Sequence, residues 1–244
     1  GLRRLGGLQY LVDAETGRSL LADLRAWHSP PSVDERAETE AVRSAVSLYQ
    51  KLLTKAPQAG GRIGAVAVQG DGSRVGAVVV TDGDLPELRE EVDTGEGGWE
   101  QKVTGLFSVA GVEQVVVPMS SPAEGVHHAL IKALEADYEL VKVRVSAVAE
   151  ARKILTEEPL SLPPTVASAV VLARRAVQPF DEWERVDPVA IGLADYQQDL
   201  NEERLREGML EALGLLQLDR ATGSFTPPTA RPSARKAAAA KARL

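Results

Sequence analysis

Two apolar runs placed back to back constrain this chain more than anything else in it. They are Arg62-Ile-Gly-Ala-Val-Ala-Val68 and Arg74-Val-Gly-Ala-Val-Val-Val80, separated by Gln69-Gly-Asp-Gly-Ser73. Both are rich in β-branched residues, and the Gly-Asp-Gly between them supplies the positive φ that a tight turn demands. The pair predicts a β-hairpin. Its strands are apolar at nearly every position rather than at alternate ones, so both faces are buried and the hairpin is central in its sheet.

The flanking pattern alternates helix and strand. Upstream, Ser32 and Glu35 form an S-x-x-E capping box that opens a helix to about Lys55. Val42, Ala45, Val46, Tyr49, Leu52 and Leu53 recur along it at spacings of three and four, which turns one face inward. Downstream, Asp84–Glu91 reads as a short helix and Asp93–Gly98 as a loop, while Trp99–Val109 fits either regular element. Gln114-Val-Val-Val117 is a third strand. It leads into a helix with Ser121 as N-cap, Pro122 at the first helical position and Glu124 closing a second capping box, ending near Ala136. Leu140–Val145 is a fourth strand, with Lys142, Arg144 and Ser146 on a wet face, and Ala147–Glu157 is a further helix.

The Pro-bearing connector Leu160–Pro164 is the best domain boundary, and beyond it the pattern is helical only. Thr165–Val177 is apolar almost all round, so it is a buried helix. Asp187-Pro188 opens another, and Asn201 a third through Leu216, with Leu205, Met209, Ala212, Leu213 and Leu216 as its inner stripe. Near the start, Asp13-Ala-Glu-Thr-Gly17 is the turn of a hairpin, and similar turn chemistry recurs at Leu218-Asp-Arg-Ala-Thr-Gly223-Ser-Phe. The expected fold is α/β (α+β): a mixed sheet of about four to five strands with packed helices, then an α-helical subdomain. The expected divisions are a hairpin segment at 1–31, an α/β core at 32–158, the helical subdomain at 159–220 and a basic flexible tail at 221–244.

The chemistry available to this framework is narrow. There is no cysteine, and the histidines are His28, His127 and His128, which excludes disulfides and thiolate metal sites. Aromatics make up 4% of the residues, so the core rests on Val, Leu and Ala. The net charge of −7 conceals a division: the last 24 residues carry five basic side chains and no acid, leaving −12 on the rest. So acidic a body argues against nucleic-acid binding, whose affinity comes from phosphate neutralisation, and the tail reads better as a solubilising terminus. No run reaches the roughly 18–20 apolar residues of a membrane helix. Gly1-Leu-Arg-Arg-Leu-Gly-Gly7 lacks the apolar block of a signal peptide. A cytoplasmic location is expected, with export independent of a signal peptide also compatible. Twenty arginines to eight lysines, with abundant Ala and Val, point to a high-GC bacterium of actinobacterial type.

Context decides what each motif can do. Gly70-x-Gly72-x-x-x-Gly76 has the look of a dinucleotide fingerprint, but a strand follows it where the pyrophosphate needs a helix N-terminus. Asp82-Gly-Asp84, just past an apolar strand, is the spacing with which acids hold Mg²⁺ in phosphoryl- or glycosyl-transfer enzymes. That stretch loosely resembles the nucleophile motif of haloacid-dehalogenase-type phosphatases, departing from it at Pro86. His127 and His128 point about 100° apart on a helix and make a poor chelate. No Ser stands in a G-x-S-x-G elbow.

Two family resemblances follow from these residues. The order of elements resembles the cytidine-deaminase-like fold, in which the third strand runs into a helix through a proline motif bearing two zinc cysteines. This chain has Pro118-Met-Ser-Ser-Pro122-Ala-Glu-Gly125 there, without Cys, and no histidine between 84 and 110 for the family's His-x-Glu. The resemblance implies a zinc-less module that binds a nucleobase or peptide, with Met119–Ala123 facing a cavity. A generic α/β sandwich explains the order equally well. Gly61–Asp82 is also similar to a hairpin in uncharacterised mycobacterial and actinobacterial proteins encoded near type VII (ESX) secretion systems, which implies an accessory, secretion-linked role. The export signal Tyr-x-x-x-Asp/Glu is absent: Tyr10, Tyr49, Tyr138 and Tyr196 precede Ala14, Leu53, Lys142 and Leu200 by four.

The sequence therefore points to a non-catalytic interaction or scaffold protein with a protein partner, accessory to type VII secretion on the second resemblance. The alternatives are a Mg²⁺-dependent transferase using Asp82 and Asp84, and the zinc-less ligand-binding module. No catalytic residue, cofactor or metal ligand is assigned beyond that alternative.

Overall fold

A computed structural model describes residues 33–82, 85–157 and 160–226. The chain divides into a unit of residues 1–41 and a unit of residues 42–244. Of the first, residues 33–41 are described. They are helical, opening α1 (Val33–Leu53) with Asp34 and Glu35 in its first turn, where carboxylates oppose the helix dipole. Ser32, the expected hairpin around Asp13–Gly17 and the tail from 227 onward lie outside the described residues.

The second unit is built on a mixed five-stranded sheet. Its strands are β1 (Arg62–Val68), β2 (Arg74–Thr81), β3 (Leu88–Asp93), β4 (Gln114–Pro118) and β5 (Glu139–Val143), in the order β3-β2-β1-β4-β5. The first three form an antiparallel meander, and β4 and β5 run parallel to β1. The two apolar runs are β1 and β2, both inside the sheet and both buried at five or more successive positions. Ile63, Ala65, Ala67, Val78 and Val80 face one layer of core; Val66, Val75, Ala77 and Val79 face the other. Burying each Val or Ile among them contributes about 1.5–3 kcal/mol.

Helices cover both faces. On one lie α2 (Trp99–Ala110) and α3 (Glu124–Glu135), with Phe107, Leu130 and Leu134 in the core. On the other lies α6 (Pro164–Val177), the helix that reads as apolar all round, flanked by α4 (Val148–Ala151) and α5 (Lys153–Thr156). A third cluster joins Ala45, Tyr49 and Leu53 of α1 to α7 (Pro179–Trp183) and α8 (Glu202–Thr222), with Phe180, Trp183, Leu205 and Met209 at its centre. The C-terminal region is thus helical, as the periodicity requires.

Five local expectations are corrected. Residues 88–93 form the edge strand β3 rather than a helix, because the open side of β2 offers Leu88–Asp93 a complete antiparallel register and Arg74 pairs with Glu91 across it at 2.6 Å. The Ser121 hydroxyl accepts from Ala123 N–H at 3.2 Å, closing a local turn, so α3 starts at Glu124 and neither Ser121 nor Pro122 takes its expected capping place. Residues 147–157 split into α4 and α5, because Leu155 N–H bonds back only three residues, to Arg152 O. The helix expected from Asp187-Pro188 is a single 3₁₀ turn, Val189–Ile191, stopped by Gly192 at φ 59°. The helix expected to end at Leu216 runs on to Thr222, and Gly223 caps it in the left-handed region at φ 77°.

A candidate binding cleft at the carboxyl end of the sheet

In an open α/β sheet, crevices form where parallel strands end and their connections diverge. Here β4 and β5 end side by side, with Pro118 opposite Val143. Met119 N–H still bonds Val143 O at 2.8 Å, after which the chain leaves the sheet. The turn at Ser121–Ala123 then swings it into α3. His127, one turn into that helix, points back and places Nε2 3.0 Å from Pro118 O. A carbonyl oxygen only accepts, so Nε2 is the donor in this bond.

The divergence leaves an open cleft of about 720 Å³. Met119, Ser120 and Ser121 form its floor from the loop, Glu124 and His128 reach it from α3, and Lys142 enters from β5. The site combines an exposed ammonium, a carboxylate, two hydroxyls and imidazole within one concavity, beside the apolar Met119 and Ile131. That is a set for gripping a polar ligand with an apolar part. No residue in it is paired with a second as a nucleophile is with its base.

Of the residues the sequence singles out, Ser121, Glu124, His127 and His128 meet here. In the sequence, Lys142 stands out only as part of a wet strand face. Asp82 lies elsewhere and is engaged: it sits at φ 51°, its Oδ1 accepts from Gly61 N–H at 3.1 Å, and its carbonyl accepts from Gln178 Nε2 at 2.6 Å. It buckles the open end of the β1–β2 hairpin. Asp84 lies outside the described residues. Among the described residues, no group of three or more His, Asp or Glu side chains is placed to hold a metal ion, and no helix is long and apolar enough to cross a membrane. Gly70 and Gly76 follow the strand reading: Gly72 takes φ 77° in the turn, and Gly76 lies under the backbone of α6.

A second cleft of about 500 Å³ lies along α2, lined by Gln101, Thr104, Ser108 and Asp137. Tyr138 closes its end, donating to Thr104 O at 3.0 Å and meeting Phe107 edge-on.

No family model matches the chain. It is 26% identical over 114 residues, 45% of its length, to the uncharacterized protein YdcI of Bacillus subtilis (strain 168), and spans 16% of that protein's length. Among solved structures, it is similar to the nuclease domain of the large terminase subunit gp2 of bacterial virus Sf6, at 15% identity and a TM-score of 0.28, covering 70% of this chain and 79% of that one.

Proposed function

We propose that this chain is a non-catalytic binding module and that its ligand site is the cleft at the ends of β4 and β5. The observation that carries the reading is the convergence of Ser120, Ser121, Glu124, His128 and Lys142 on one concavity at the carboxyl edge of a parallel strand pair. Lys142 and the hydroxyls recognise a polar or anionic group, and Met119 and Ile131 an apolar one. A thermal-shift survey of small polar metabolites, nucleobases and short peptides tests it. A ligand should raise the melting temperature of the wild type by a few degrees, and Lys142→Ala with Ser121→Ala should remove that shift. The reading fails if Mg²⁺ or Mn²⁺ alone stabilises the wild type but not Asp82→Asn, the outcome a transferase built on Asp82 requires.

A protein partner is a second reading, supported by the outward face of α8. Leu210, Leu215 and Leu218 are 48%, 55% and 59% exposed there, Leu218 opposite the buried Leu205, Met209 and Leu213 and the other two on either flank. An accessory role in type VII secretion rests on the resemblance of the Gly61–Asp82 hairpin alone.

A further inference from the structure

The geometry points to a small zwitterion as the ligand of the cleft: an ammonium group for Glu124, a carboxylate for Lys142 and an apolar side chain for Met119 and Ile131. The inference rests on the reading of this cleft as the ligand site and adds what the ligand must carry. The two charges reach the cleft from different layers. Strand residues alternate between faces, and Val141 and Val143 pack toward α6 while Leu140 packs toward α2 and α3. Lys142 therefore rises on the face that α3 covers. On α3, Glu124, His128 and Ile131 follow at spacings of four and three, which aligns them as one stripe along the helix. That separation puts Ile131 about 10 Å beyond Glu124, so this wall grades from acid to apolar. Met119, 59% exposed, adds apolar surface from the loop.

Exposed charges elsewhere on this sheet are matched, Arg62 with Glu87 at 2.9 Å and Arg74 with Glu91 at 2.6 Å. The two in the cleft are not. Among the described residues, neither the Glu124 nor the Lys142 side chain has an ion-pair or hydrogen-bond partner, although both line one concavity. The Ser121 hydroxyl, which accepts from Ala123 N–H, keeps its own hydrogen to donate to a carboxylate beside Lys142. A purely anionic ligand would meet Glu124 as a like charge, and a purely cationic one would meet Lys142 so. A ligand of both signs satisfies each, and like-charge juxtaposition selects against the others.

Titration of the full chain with L-leucine, L-methionine and the dipeptide leucyl-leucine, read by amide chemical shifts, tests this. Each probe is also used N-acetylated, without the cation, and C-amidated, without the anion. The amino acids and the dipeptide differ in the separation of their charges and so distinguish a free amino acid from a peptide. At least one zwitterion should bind with shifts at Ser120, Gly125, His128 and Lys142, and its two masked forms should bind roughly fivefold more weakly or less. Glu124→Gln should erase the preference for the free amine and keep that for the free carboxylate, and Lys142→Met should do the reverse. A variant that merely disturbed the fold would weaken all forms alike. Failure of every zwitterion to bind, or masked forms that bind the cleft as tightly, overturns the inference and leaves the cleft as a site for another ligand. Zwitterion-induced shifts that bypass the cleft overturn both.

Discussion

Gly76 shows how much one residue can settle. A Cβ built there would stand 2.4 Å from the Thr165 carbonyl carbon and 2.5 Å from its oxygen. The backbone of α6 thus rests directly on β2, and only a residue without a side chain permits it. Gly64 does the same on the opposite face, where a Cβ would meet the Phe107 ring at 2.8 Å. Gly76→Ala should cost about 3 kcal/mol of stability in chemical denaturation, whereas Gly70→Ala, with open space around it, should change little. The three glycines at 70, 72 and 76 mimic a nucleotide fingerprint in sequence, yet they serve a turn and a helix seat. Two non-glycine residues take left-handed backbone near the sheet ends, Asp82 and Ala147, both at φ 51°. In Asp82 the short polar side chain is tied across the hairpin ends, its Oδ1 accepting from Gly61 N–H at 3.1 Å, which helps hold that conformation.

At the scale of elements, legibility followed burial. Strands β1 and β2 are covered on both faces, so every residue carries the signature, and their limits could be read directly. β3 is an edge strand whose Leu-Arg-Glu-Glu-Val-Asp is two-thirds charged, a composition that favours a helix until the register with β2 is supplied. The end of α8 was hidden by the reverse ambiguity. A glycine needing positive φ marks hairpin turns and helix C-caps alike, and only the bonds from Gly223 N–H to Arg220 O and Phe225 N–H to Asp219 O distinguish them. That cap also brings Phe225 to Phe180, with ring centres 6.0 Å apart. Gly223→Ala should cost about 1 kcal/mol, measurable as a lower denaturation midpoint with an unchanged slope.

Across the whole molecule, the parts of the cleft differ in how far sequence could reach them. Most of the cleft comes from one stretch, 119–128, which capping residues and histidines make conspicuous. Its cation does not, because Lys142 arrives only through the parallel pairing of β4 with β5. The burial of Arg175, 3% exposed with Nη1 donating to Arg144 O at 2.9 Å and to Ser146 O at 2.6 Å, was equally hidden, because it depends on how α6 seats against the chain after β5. The proposed function depends on the cleft. Amide chemical-shift mapping of the full chain against a ligand that stabilises it is the most direct measurement. Shifts concentrated at Ser120, Ser121, Gly125, His128 and Lys142 are expected. Shifts that bypass these residues and gather at Gly61 and Asp82 would contradict it.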